Sequence, residues 1–147
     1  MDDQILTPHF RLSEFSRSST ADSHGIDNSV PKELIPSLKN LCEQVLEPLR
    51  EHFNKPVVIS SGYRCPKLNR LVGGVPNSQH QKGEAADIKL YSVEEGKRWF
   101  NWIVENCNFD QALWERESKN SCLFWIHISC RPIISKNRHQ AESLIKH

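Results

Sequence analysis

Phe124-Trp125-Ile126-His127-Ile128-Ser129 is the stretch whose reading decides the fold. It is aromatic and β-branched, without Gly or Pro, and predicts a strand over residues 123–130. Alternation puts Phe124, Ile126 and Ile128 on one face and Trp125, His127 and Ser129 on the other. The first set reads as core, the second as a cleft wall with a histidine at its centre. Ala85-Ala86-Asp87-Ile88-Lys89-Leu90-Tyr91 repeats the pattern. There Ala86, Ile88 and Leu90 share the core side, while Ala85, Asp87 and Lys89 point away.

Working outward, Val57 to Ser61 and Phe109 to Trp114 predict two further strands. The polar segment 115–122 joins the second of these to the 123–130 strand, most simply as a hairpin. Leu34, Ile35, Leu38, Leu41, Val45, Leu46 and Leu49 recur at spacings of three and four, so residues 31–53 predict an amphipathic helix. Asn28 or Ser29 is expected to cap it, and Pro36 and Pro48 to break it or mark sub-boundaries. Residues 93–107 predict another helix, with Glu94 and Glu95 in its first turn. Before it, residues 62–83 form a Gly-, Pro- and Asn-rich loop, long enough to suggest a functional role. The order predicts an α+β fold: a small, mostly antiparallel sheet with flanking helices. One domain is expected over 1–147, with 1–30 an irregular segment packed on it. Residues 132–147 read as a polar tail with a short helix at 140–145.

Composition narrows the function classes. Lys+Arg is 19 and Asp+Glu is 18, a net charge of +1, which leaves no electrostatic footprint for nucleic acid. No apolar run approaches the roughly 18 residues of a span, so no membrane insertion is expected. The five cysteines include no CxxC pair and are expected to be free thiols. The amino end carries no basic region followed by an apolar stretch, so cytosolic synthesis without a signal peptide is expected. A monomer is expected.

His80 precedes Asp87 by seven residues, on the loop that feeds the Asp87 strand. With His127 on another strand, they form a candidate zinc site of two histidines and one aspartate. Three protein ligands leave a fourth position for water, which is the catalytic pattern. By itself HxxxxxxD matches many chains by chance.

The surroundings are more specific. Ser60-Ser61-Gly62-Tyr63-Arg64-Cys65-Pro66, then Asn69 and Gly73-Gly74, then Ser78-x-His80-x-x-Gly83-x-Ala85-x-Asp87-Ile88, and finally Trp125-x-His127-x-Ser129 occur in order. Together they resemble the zinc D-Ala-D-Ala carboxypeptidases, peptidoglycan peptidases that share a fold with the Hedgehog signalling domain. Phe10-x-Leu12-Ser13-Glu14-Phe15 and Gly25-Ile26-Asp27-Asn28 are similar to a phage- and bacterium-associated branch. The resemblance implies one zinc per chain on His80, Asp87 and His127, with Arg64 holding substrate or developing charge. It also implies a peptidoglycan stem peptide as partner, cut by a carboxypeptidase or an endolysin-type endopeptidase. Such a substrate would be reached through lysis, a holin or a phage particle. Many relatives carry a carboxylate three residues before the last zinc histidine, but here that position is Phe124. The branch's alternative is an acid at the end of the preceding strand, which is Glu115, with Glu117 close by. Strand parity puts Gln111, Leu113 and Glu115 on one face. Ser78 and Ser129 are expected to orient ligands, and Trp125 and Gln111 to face substrate. The missing carboxylate at Phe124 keeps open a non-catalytic, zinc-binding cell-wall or protein-interaction module of the same fold.

Overall fold

A computed structural model describes residues 3–118 and 120–143. Five strands form one mixed sheet in the order β3-β4-β6-β5-β7: β3 (Ile59–Ser61), β4 (Ala85–Leu90), β5 (Gln111–Arg116), β6 (Phe124–Ser129) and β7 (Gln140–Ser143). The 123–130 strand is thus the centre of the sheet, paired antiparallel on both sides. The expected hairpin is present as β5 and β6. Two expectations need correction at the far edge. Where a small, mostly antiparallel sheet was expected, the sheet is a mixed five-stranded one, because β7 runs parallel to β5. The helix expected at 140–145 is replaced over its described part by that strand; residues 144–147 lie outside the described residues.

The core face of the sheet is the one the alternation selects. Ala86, Ile88, Ala112, Trp114, Ile126 and Ile128 are buried against Trp99, Phe100 and Ile103 of a helix over Val93–Asn106. Ser92 caps that helix by accepting the Glu95 N–H at 3.0 Å. The 31–53 helix exists, and its prolines mark sub-boundaries within it rather than break it. It opens as a 3-10 turn over Lys32–Leu34 and continues as Ile35–Leu41, a π-turn at Cys42–Leu46, and Glu47–Phe53. Pro36 sits in a first turn, where its missing N–H costs nothing. Pro48 follows the π-turn, whose wider bonding, Glu47 N–H to the Cys42 carbonyl, removes the need for a Pro48 donor. Neither Asn28 nor Ser29 caps this helix: no side chain does.

The first thirty residues are more ordered than the sequence suggests. A hairpin of β1 (Ile5–Thr7) and β2 (Phe10–Arg11) is followed by short helices α1 (Ser13–Ser16) and α2 (Ser19–Ser23). Phe10 and Phe15 are fully buried. All five cysteines are free, and three are buried. Among the described residues no helix is long and apolar enough to cross a membrane.

Candidate metal centre

Strand register builds the site. Asp87 of β4 lies directly opposite His127 of β6, and both project from the face away from the core. His127 Nδ1 approaches Asp87 Oδ1 to 3.0 Å, and His80 Nε2 approaches the same oxygen to 3.5 Å. The two imidazole centroids are 5.1 Å apart. Among the described residues, this is the one cluster of three metal-ligating side chains with atoms within 4.8 Å of one another.

His80 is delivered by a 3-10 turn over Gln79–Lys82, which Ser78 caps by accepting the His80 N–H at 3.2 Å. The ring is aimed by its other nitrogen: Nδ1 lies 2.7 Å from the Gly62 carbonyl, which can only accept. Nδ1 is therefore the donor, and Nε2 points at the Asp87 carboxylate, so that with the ring neutral its lone pair would face that oxygen. Two acceptors face each other there, an arrangement that calls for a cation or a proton between them. The donor set fits a metal: ligands about 2.0–2.1 Å from a tetrahedral zinc lie about 3.3 Å from one another. The observed 3.0 and 3.5 Å bracket that separation. Burial alone would raise the Asp87 pKa, but hydrogen bonds and charge from both histidines hold it well below the usual carboxylate range.

Gly62 meets a tight constraint. A Cβ there would come within 2.6 Å of the Phe15 backbone, whose carbonyl accepts the Tyr63 N–H at 2.7 Å. The carbonyl that orients His80 is thus clamped by the amino-terminal segment. Asn28, read from sequence as a cap, is the second clamp. Its Nδ2 donates to the Ser16 and Tyr63 carbonyls at 3.0 and 2.9 Å, and its Oδ1 accepts the Cys65 N–H at 2.8 Å.

Arg64 reaches the cluster: Nη2 is 3.8 Å from Asp87 Oδ2. Its Nη1 and Nε donate to Asn69 Oδ1 (3.2 Å) and Ser61 Oγ (3.3 Å). Asn69 is nearly fully buried within a helix the sequence did not signal, Pro66–Leu71. It donates in turn to the Val75 carbonyl at 2.9 Å. Gly74 lies so close that a Cβ would collide with the Asn69 amide. Burial lowers the Arg64 pKa and the Asp87 charge opposes that, leaving a group that stays protonated near neutral pH.

An open cleft of about 380 Å³ joins these residues. His80, Asp87, His127, Arg64, Ser78, Trp125, Leu113 and Glu115 all line it. Glu115 stands opposite Trp125 in the ladder, one pleat along from His127 and on the same face. Glu117 is exposed beyond the strand, where it accepts from Ser121 Oγ at 3.4 Å, and it does not line the cleft. Ser129 is fully buried and accepts the Gln111 N–H at 3.1 Å. Its hydroxyl therefore ties β5 to β6 and does not touch the three-residue cluster. Gln111 lines an adjoining lobe of the cleft.

The sequence model of the family described as Peptidase M15 matches residues 8–129. The chain belongs to the peptidase M15 family. Its members are metal-dependent peptidases, which agrees with the His80, Asp87 and His127 cluster. The M15 match ends at the last residue of β6 and leaves out β7. No curated protein matches the chain.

Proposed function

We propose that this M15 chain is a zinc-dependent peptidase acting on peptidoglycan stem peptides, as a D-Ala-D-Ala carboxypeptidase or an endolysin-type endopeptidase. The observation that carries this reading is Glu115 in the same cleft and on the same strand face as the two-histidine, one-aspartate cluster. Zinc bound there supplies a Lewis acid that polarises the scissile carbonyl and lowers the pKa of a water. His80, Asp87 and His127 would hold it, with the Gly62 carbonyl keeping the His80 Nε2 lone pair available. Glu115 takes the proton of the attacking water and passes it to the leaving amine. Burial raises the Glu115 pKa, the His127 charge opposes this and the Asp87 charge adds to it. A carboxylate shifted upward is the better proton acceptor near neutral pH. Arg64, braced by Asn69 and Ser61, presents its charged fork to a substrate carboxylate or to the oxygen on which charge develops. Trp125 and Leu113 give the cleft an apolar wall.

The rival reading, a non-catalytic module of the same fold, rests on Phe124 standing where many relatives have a carboxylate. Glu115 on the neighbouring strand offers that group from another direction. Metal analysis of the purified protein, with mass spectrometry of digested peptidoglycan, separates the two. About one zinc per chain and new stem-peptide termini are expected. One zinc with no cleavage of any peptidoglycan would make the non-catalytic module the better reading.

A further inference from the structure

The cleft does not end at His127. A second lobe of about 320 Å³ shares Val75, Ser78 and His127 with the first and is otherwise lined by Asn77, Gln79, Lys82, Gln111, Arg131 and Arg138. Its charged lining residues are all basic, whereas the first lobe mixes Arg64 with Asp87 and Glu115.

This basic lobe is built. Asp110, whose side chain is fully buried, anchors it by accepting from the Arg138 backbone N–H at 3.0 Å, Nε at 3.1 Å and Nη2 at 2.8 Å. Arg131 meets the same carboxylate through Nε, at 3.2 Å. Arg138 meets Asp110 side-on through Nε and Nη2, and among the described residues no partner takes the terminal nitrogens of Arg131. Its backbone is pinned on both sides: its N–H donates to Asn137 Oδ1 at 2.8 Å and its carbonyl accepts from Asn40 at 3.2 Å. Lys82 is exposed and has no ion-pair partner among the described residues. Among the lining residues three cations stand against the buried Asp110 carboxylate, and Glu84 borders the lobe by accepting from Gln79 Nε2 at 3.2 Å, so the balance stays positive.

Its place along the cleft is fixed by β5. Gln111, Leu113 and Glu115 line one face, and Leu113 pairs with His127. Alternate residues on a strand are about 6.7 Å apart, so the basic lobe lies about that far from the level of His127, on the side away from Glu115. An extended peptide would span that distance in about two residues. Arg131 and Arg138 fall outside the residues matched by the family model, whereas Lys82 and Gln111 fall inside them.

We propose that Lys82, Arg131 and Gln111 form a carboxylate subsite, which selects peptides carrying a free carboxylate about two residues from the bond cleaved. The distance to the bond rests on the peptidase reading above; the affinity for a carboxylate does not. The group could be an acidic side chain or the chain terminus.

The test uses the full chain as purified. Glutarate, a dicarboxylate with no peptide bond, is titrated while the Gln111 side-chain amide and the backbone amides of residues 78–82 are followed by NMR. Saturable shifts are expected, absent with the neutral glutaramide. Lys82→Gln/Arg131→Gln should weaken glutarate about tenfold or more, since hydrogen bonds to charged groups carry that weight. Lys82→Gln alone, at an exposed position, should weaken it in the same direction and guards against a misfolded double variant. Equal response to glutaramide, or unchanged affinity in both variants, overturns the subsite. Stem pentapeptides amidated either at the glutamate carboxylate or at the carboxyl terminus then identify the source. The amidation that raises KM in the parent but not in the double variant marks it. Glutarate binding with no stem peptide cleaved sinks the substrate reading and leaves the subsite standing; cleavage with no glutarate shift does the reverse.

Discussion

The two ends of the chain read alike as sequence and act differently in the fold. The amino-terminal segment and the carboxy-terminal tail are both polar, short of periodicity, and clamped onto the sheet by a few long-range contacts. The first clamps the β3 side: Phe15 fits against Gly62, and Asn28 stitches residues 16, 63 and 65 together. That clamp ends on the carbonyl that orients His80. The second clamps the β5 side, where Asp110 gathers Arg131 and Arg138 and β7 joins the sheet. That clamp ends on the basic lobe. Damage to the first should therefore reach the metal, and damage to the second should reach substrate binding and stability.

The largest effect should follow from removing the cluster that the first clamp serves. His80→Ala and Asp87→Ala each take away one of the three proposed ligands, so zinc should be lost and cleavage with it, as read by elemental analysis and product formation. Full zinc in the double variant would overturn the ligand assignment.

At the other end, Asp110→Ala leaves two arginines around an emptied buried site. It should cost about 1–3 kcal/mol of stability, measured by denaturant unfolding, because the Arg138 N–H loses its acceptor while both arginines stay partly solvated. Zinc content should be unaffected while the protein stays folded; loss of zinc at full folding would erase the contrast between the ends. The same residue should give an acid-dependent slope. Burial would raise the Asp110 pKa, but hydrogen bonds from Arg138 and the charges of Arg131 and Arg138 lower it to about 2. The unfolded value is higher, so the folded state gains stability from the ionised group above about pH 4. As pH falls from about 4 toward 2, roughly 2 kcal/mol should be lost. Asp110→Asn should flatten that part of the profile, and an unchanged slope would assign it elsewhere.

Gly62→Ala sharpens the comparison from the amino-terminal side. Its Cβ must displace the Phe15 backbone, an overpacking of about 1–3 kcal/mol. Zinc affinity should fall together with thermal stability, because the same carbonyl sets the His80 ring. A loss of stability with zinc affinity intact would separate the clamp from the metal site. Asn28→Ala should act in the same direction by about 1–3 kcal/mol, through the buried Tyr63 carbonyl and Cys65 N–H it leaves unpaired.

These contrasts also mark what the sequence could reveal. Strand alternation was enough to place Asp87, His127, Glu115 and Trp125 on one face and Ile88, Ile126 and Trp114 on the other, because period two is a local property. It also ranked Glu115 and Glu117 on the same face and could not choose, since the choice depends on where β5 ends. β7 was hidden for a different reason. It is an edge strand exposed over most of its length, so no apolar alternation betrays it, and the contact that brings it in is Asp110, some thirty residues earlier. The role of Asn28 was equally non-local: a capping residue type, used 35 and 37 residues away. The helix at Pro66–Leu71 buries only Leu68 and Asn69, too little to leave a helical pattern in a glycine-rich loop.

The central claim is that Glu115 supplies the proton transfer in a cleft where His80, Asp87 and His127 hold the metal. The most direct measurement pairs peptidoglycan cleavage with zinc content in Glu115→Gln, a variant that keeps shape and removes the proton acceptor. Cleavage should fall about 10²–10⁴-fold with zinc unchanged, while Glu117→Gln should do little. Glu115→Gln with full zinc and undiminished cleavage would contradict it.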